Sequence, residues 1–165
     1  LDPTATPDAR VPLTGHRQVR LVRDLEAAQR WYRDVLGCEV DDWGHAVRGA
    51  LNLLLQQAAD PEDVHPNALP ARRDSYPTDW RGPDEGWDSY VFVEFDDFPR
   101  LVVELRTAGA RVVAGPDQAE HSNGMTFRTV TVADPDGYAI TFGCGRRQVA
   151  GPAPAETSTA PRRAG

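Results

Sequence analysis

Cysteine is nearly absent from this chain of 165 residues. Cys38 and Cys144 are too few and too far apart for a zinc ribbon or a disulfide scaffold, and both lie beside predicted strands, so they are read as buried free thiols. Long apolar runs are missing as well. The longest, around Leu53 to Leu55, is far too short to span a bilayer, and the N-terminus has no basic-then-apolar leader pattern; a cytoplasmic protein is expected. Positive charge is in deficit, with a net charge of −7. That balance speaks against nucleic acid and anionic membranes as partners and suits a cationic ligand. Histidine is sparse: His16, His45, His65 and His121 stand singly, in loops or at strand ends, and each is read as solvated or hydrogen-bonded rather than as a metal ligand. Periodicity is missing at both ends, in a proline-rich arm at residues 1–12 and a low-complexity tail at 146–165.

Between those ends the pattern is strong. Thr129 to Phe142 reads as two alternating strands joined by Asp134-Pro135-Asp136-Gly137, where Pro135 presets φ and Gly137 accepts a positive φ. Before it, Gly15 to Val22 is a strand with an irregular apolar period, which implies a bulge or an unusual polar face. Asp24 is placed to cap a helix from Leu25 to Leu36 that Gly37 ends. Short strands follow at Cys38 to Trp43 and His45 to Val47, then a stronger one at Ala50 to Gln57.

Residues 58–88 form a long proline-rich, acidic connection carrying Trp80 and Trp87. A ring left in water forfeits roughly 2–3 kcal/mol that burial supplies, so this loop is expected to fold over a site or an interface. The order then repeats: a strand at Ser89 to Phe95, a helix at Phe98 to Ala108, a strand at Arg111 to Ala114, a polar loop at 115–124 and the closing hairpin. The fold class is α+β, with modules at 13–57 and 89–145.

Val22-Arg-Asp-Leu-Glu-Ala-Ala-Gln-Arg-Trp-Tyr-Arg-Asp-Val-Leu-Gly37 and Asp134-Pro-Asp-Gly-Tyr-Ala-Ile-Thr-Phe142 resemble two motifs of the vicinal oxygen chelate superfamily, which includes glyoxalase I, extradiol dioxygenases and bleomycin-resistance proteins. The resemblance covers about residues 15–144 and implies two βαβββ modules forming a curled mixed sheet around a shared cavity. In metal-dependent members, the first and last strands of each module supply four ligands to a divalent ion. Carried onto this chain, those positions fall on Arg17 (His16 if the strand is bulged), Gln56 or Gln57, Tyr90, and Thr141 where the family usually has glutamate. Such a set has no carboxylate and at most one imidazole, so no metal and no cofactor are expected.

What remains most resembles the bleomycin-resistance subgroup, which sequesters a drug and whose tract into the same turn is similar to Gly124-Met-Thr-Phe-Arg-Thr-Val-Thr-Val-Ala-Asp-Pro-Asp-Gly137. Trp43, Trp80, Trp87, Tyr90, Phe92 and Phe127 offer flat surfaces for an aromatic or cationic small molecule, and Arg17, Gln56, Glu94 and Thr141 offer polar contacts. Glu94, on the expected cavity face, requires a cation, a partner such as Arg17, or a ligand. The resemblance also implies a homodimer. Two other readings stand beside sequestration: a metal-dependent lyase or dioxygenase using His16, Glu94 and His121, and a cofactor-free enzyme in which Glu94 or Tyr90 moves a proton.

Overall fold

Asp24 begins the first helix as its chemistry demands: its carboxylate accepts from the Ala27 amide at 2.9 Å, satisfying one of the donors that a helix start leaves open. In the computed structural model, which describes residues 14–67 and 87–147, this helix (α1) spans Leu25–Asp34 and buries Ala28 and Tyr32. It stops two residues short of the expected Leu36, because Val35 caps it and Gly37, at φ 64°, turns the chain out. Before it lies β1 (Gln18–Val22) and after it β2 (Glu39–Val40), β3 (His45–Arg48) and β4 (Leu51–Gln57). The second module supplies β5 (Ser89–Phe92), α2 (Phe98–Thr107), β6 (Arg111–Glu120), β7 (Met125–Ala133) and β8 (Ala139–Arg147).

Two four-stranded mixed sheets result, ordered β1-β4-β3-β2 and β5-β8-β7-β6, with β1 parallel to β4 and β5 parallel to β8. The α+β architecture of two βαβββ modules is as the sequence implies, but the sheets do not close around one cavity. One apolar core lies on their helix sides. It joins Tyr32, Leu36, Leu53 and Leu55 of the first module to Leu101, Leu105, Val130, Ile140 and Phe142 of the second.

Several extents differ from expectation. The second strand is two residues long rather than the stretch Cys38 to Trp43, and β5 ends at Phe92 rather than Phe95. The larger correction is at residues 115–124, expected as a polar loop. Gly115 and Pro116 read as breakers, yet β6 runs on to Glu120 through register shifts between Val112, Ala114 and Asp117, so both sit within the irregular stretch of a continuing ladder. Strand β8 likewise extends to Arg147, past the start assigned to the tail. The arm at 1–12, Trp80 and residues 148–165 lie outside the described residues.

The irregular polar face of β1 has a tertiary cause. Gln18 and Arg20 lie where the β1 edge meets β5, and the Arg20 side chain is buried there. Arg20 Nη2 donates to Ser89 Oγ at 2.5 Å and Gln18 Nε2 to the Asp88 carbonyl at 3.1 Å. The Asp134-Gly137 turn completes this junction. Asp134 Oδ1 accepts from the Asp136 and Tyr138 amides, its Oδ2 accepts from the Tyr32 hydroxyl of α1, and Asp136 holds Arg23.

Asp41 organises the β2–β3 turn. Its Oδ1 accepts from the Trp43 and His45 amides at 3.0 and 2.9 Å, and its Oδ2 lies 2.6 Å from His45 Nδ1. Desolvation of the carboxyl raises its pKa, but the bonds from His45 and Trp43 outweigh it and the net shift is downward. A carboxyl with a depressed folded-state pKa contributes stability above its unfolded pKa and loses it as pH falls through the folded value. Asp41→Ala is therefore expected to lower thermal stability at pH 7, with the gap from the parent protein narrowing as the scan moves below the ordinary carboxylate range. A gap unchanged down to pH 2 would mean that the carboxylate charge is irrelevant to the turn.

Candidate functional site

With α1 and α2 covering one face of each sheet, the opposite, open faces carry no α-helix among the described residues, though Thr131 and Thr141 on the second sheet's open face are buried. On the second sheet that open face carries Tyr90, Phe92, Phe127, Thr131, Thr141 and Gly143, because Val91, Val130, Val132, Ile140 and Phe142 alternate with them into the core. Tyr90 pairs with Thr141, which pairs in turn with Thr131, and the two threonine hydroxyls are 2.9 Å apart. The Tyr90 ring crosses the backbone of Gly143, where a Cβ would overlap the phenol. Glycine at 143 permits this close approach of the ring; its φ is ordinary. The Trp87 ring, just before β5, lies 4.9 Å from the Tyr90 ring, and the Tyr90 and Phe92 rings are 5.2 Å apart, a run of three. Burial, with a smaller contribution from Cys144, raises the pKa of the Tyr90 phenol and keeps it a neutral donor.

Further along, Phe127 covers Gly145 and meets the His121 ring at 5.0 Å. Phe92 is 81 % exposed and Val19, on the open face of the first sheet, is 58 % exposed. Where β5 faces the ends of β1 and β4 there is a cleft of about 570 Å³, lined by His16, Gln18, Asn52, Ser89, Tyr90 and Phe92 among others.

The first sheet corrects one assignment. Arg17 Nε donates to Asn52 Oδ1 at 2.7 Å, and the parallel register sets Leu21 beside Gln56. Asn52, not Gln56, is thus the last-strand residue opposite Arg17; Gln56 is exposed and four residues away, roughly 13 Å along the strand. Gln57 is committed elsewhere, accepting from the Leu25 amide and donating to the Arg23 carbonyl. Register could have identified Asn52; residue type alone favoured the glutamines.

Glu94 is corrected too. It is exposed beyond the end of β5, and its carbonyl accepts from the Asp97 and Phe98 amides as the chain turns into α2. Of the three partners weighed for Glu94, Arg17 is instead bonded to Asn52. Trp43 is 81 % exposed on the β2–β3 turn, on a different element from the β5 rings. Trp87 stands beside Tyr90, whereas Trp80 lies outside the described residues.

The four positions that the resemblance assigns to metal ligands, adjusted for register, are therefore Arg17, Asn52, Tyr90 and Thr141. A guanidinium, a carboxamide, a neutral phenol and a hydroxyl already bonded to Thr131 do not fit a divalent ion, which wants imidazole or carboxylate donors. Among the described residues no group of three or more His, Cys, Asp or Glu side chains is placed to hold one.

A profile of the Glyoxalase/Bleomycin resistance protein/Dioxygenase superfamily matches residues 15–142. The chain belongs to that superfamily. The match takes in both modules as far as Phe142 in β8. Among solved structures, the glyoxalase/bleomycin resistance protein/dioxygenase from Alicyclobacillus acidocaldarius is similar with a TM-score of 0.57 at 14 % identity, over 82 % of this chain and 93 % of its own. The genomically encoded fosfomycin resistance protein FosX from Listeria monocytogenes reaches 0.51 at 8 % identity, over 85 % and 96 %. An integron cassette protein from the mobile metagenome of V. cholerae reaches 0.51 at 16 %, over 82 % and 97 %. At these identities the likeness is one of fold. No curated protein matches the sequence. Among the described residues of this superfamily member, no helix is long and apolar enough to cross a membrane.

Proposed function

We propose that this superfamily member is a metal-independent small-molecule binding protein of the bleomycin-resistance type, taking up an aromatic or cationic compound such as an antibiotic and releasing it chemically unchanged, in the cytoplasm and as a homodimer. The observation that carries the reading is the Trp87–Tyr90–Phe92 ring run, with Tyr90 and Phe92 on the open face of β5 lining the cleft and Phe92 exposed. Rings held in series present a stacking surface to a flat ligand, and the net charge of −7 favours a cationic one. The donor set at the four family positions supports binding without a metal. The exposed Val19 and Phe92 support a second copy covering the open faces, since large apolar side chains left in water mark interaction surfaces.

Acridine orange, a planar aromatic cation, serves as a probe. Its fluorescence anisotropy should rise on titration with the protein, and Phe92→Ala should weaken the interaction about tenfold, the value of roughly 1.4 kcal/mol. Equal affinity of parent and variant would remove the ring run from the site. Compounds that co-purify with the protein, identified by mass spectrometry and recovered unaltered after long incubation, support sequestration. A chemically altered compound would overturn it. Sedimentation at micromolar concentration tests the dimer.

A further inference from the structure

Arg128 stands on the other side of the second sheet from the β5 rings, and its surroundings make a second site. Thr126, Arg128, Val130 and Val132 alternate toward the α2 side of β7; the two valines enter the core, and Arg128 lies just past its end, half-buried. Its guanidinium carbon is 4.0 Å from the centroid of Phe95, and that of Arg146, from β8, is 4.4 Å from the same ring. Arg128 Nε donates to Gln118 Oε1 at 2.9 Å and Nη1 reaches the Phe95 carbonyl at 3.4 Å. A guanidinium has five N–H donors, so most of this fork has no protein acceptor. Arg146 pairs with Asp96, whereas no carboxylate of the described residues pairs with Arg128. Its cross-strand neighbour Cys144 does not neutralise it: burial raises the thiol pKa by more than the two guanidiniums lower it, so the group stays uncharged.

Two hollows meet at this side chain. One of about 240 Å³ is bordered by Phe95, Glu120, Thr126 and Arg146, the other of about 370 Å³ by Phe98, Pro99, Val102, Pro116 and Asp117; Arg128 and Gln118 line both. A cation fixed flat on a ring, with its fork open and an apolar trough beside it, is complementary to one kind of molecule.

We propose that this helix-side surface binds a small organic monocarboxylate, its carboxylate on the Arg128 fork and its apolar body against Phe98, Pro99, Val102 and Pro116. A carboxylate matches the fork geometry with paired hydrogen bonds, and a guanidinium already held in place loses little freedom on binding. Glu120 in the smaller hollow and Asp117 in the larger leave room for one negative charge, the one on the Arg128 fork, and disfavour a second, so a monoanion is selected over a dianion.

Benzoate is the probe, titrated into the full chain and followed by backbone amide NMR, with benzyl alcohol as its uncharged counterpart. Shift changes are expected at Val102, Gln118, Thr126 and Arg128, and benzyl alcohol should bind at least about tenfold more weakly, as loss of a charge-assisted pair implies. Arg128→Gln should weaken benzoate by about the same factor. Should that variant unfold for want of its cover over Phe95, Gln118→Glu places a carboxylate beside Arg128 without removing it, and this too should abolish benzoate binding. The proposal is overturned if benzoate and benzyl alcohol bind alike, if Gln118→Glu binds benzoate as the parent does, or if the shifts appear at Tyr90 and Thr141 on the open face instead.

Discussion

Arg20→Ala is expected to lower the free energy of unfolding by about 3–5 kcal/mol, measured by denaturant titration at pH 7. Arg20 is 2 % exposed, a buried cation with no direct carboxylate partner among the described residues. Its charge is compensated at one remove: Nη1 donates to the Tyr32 hydroxyl at 2.7 Å, and that hydroxyl donates to Asp134 Oδ2 at 2.8 Å. Burial above all holds the Tyr32 pKa well above its ordinary value, so the phenol keeps the proton that this relay needs. The guanidinium also lies 4.9 Å from the Tyr138 ring centroid. Truncation leaves Asp134 buried with its nearest cation gone, and an uncompensated buried charge is the costly outcome.

The effect carries a pH signature. Burial already raises the Asp134 pKa and Arg20 lowers it, so removing Arg20 raises it further. A carboxyl whose folded-state pKa exceeds its unfolded value binds its proton more tightly when folded; stability then falls as pH rises from the ordinary carboxylate range to the folded pKa, and the whole loss is present above it. The deficit of Arg20→Ala should accordingly shrink as pH is lowered toward that range. Arg20→Met, which refills the space, should be milder than Arg20→Ala. A deficit under about 1 kcal/mol at pH 7 would show that the junction does not depend on this charge.

Gly143→Val is expected to abolish measurable acridine orange binding while the chain stays folded with a loss of about 1–3 kcal/mol, the usual range for overpacking. The φ of Gly143 is ordinary, so the backbone admits valine and the effect comes from the side chain. Its Cβ would occupy the space of the Tyr90 phenol, forcing that ring off the strand. The contacts to Trp87 and Phe92 depend on the ring's position and would go with it, uncovering Thr141, which is now fully buried. Gly145→Ala provides the comparison. A Cβ there would meet the Phe127 ring edge at 2.9 Å, which a small rotation relieves, so the dye should still bind. Undiminished binding by Gly143→Val would mean that Tyr90 is no part of the ligand surface.

These two residues also show what local pattern could carry. The glycine at 143 is visible in the sequence only as an interruption of a strand; that it makes room for Tyr90 depends on the register Tyr90 to Thr141 and Phe92 to Gly143. Arg20 likewise breaks the apolar period of β1, and the sequence registers the break without its cause. Glu94 shows a related effect. Alternation places it with Tyr90 and Phe92, and Val93 and Phe95 still pack on the core side, but β5 ends at Phe92 and the Glu94 carbonyl already begins the turn into α2. Gln56 failed because residue type was weighed without register, which sets Asn52 beside Arg17.

The sequence by itself determined the order of elements, the helix start at Asp24, the turn at Asp134 to Gly137 and, through the two motifs, the superfamily. Each of these rests on backbone preferences and side-chain periods within a few residues of one another, which are readable along the chain. The tertiary structure alone decided which face of each strand is open, which residue stands opposite Arg17, how far β6 runs past Gly115 and Pro116, and that the Asp134 turn receives α1 and, through it, Arg20. Those are relations between segments distant in sequence, settled by pairing register and by the need to satisfy buried charge.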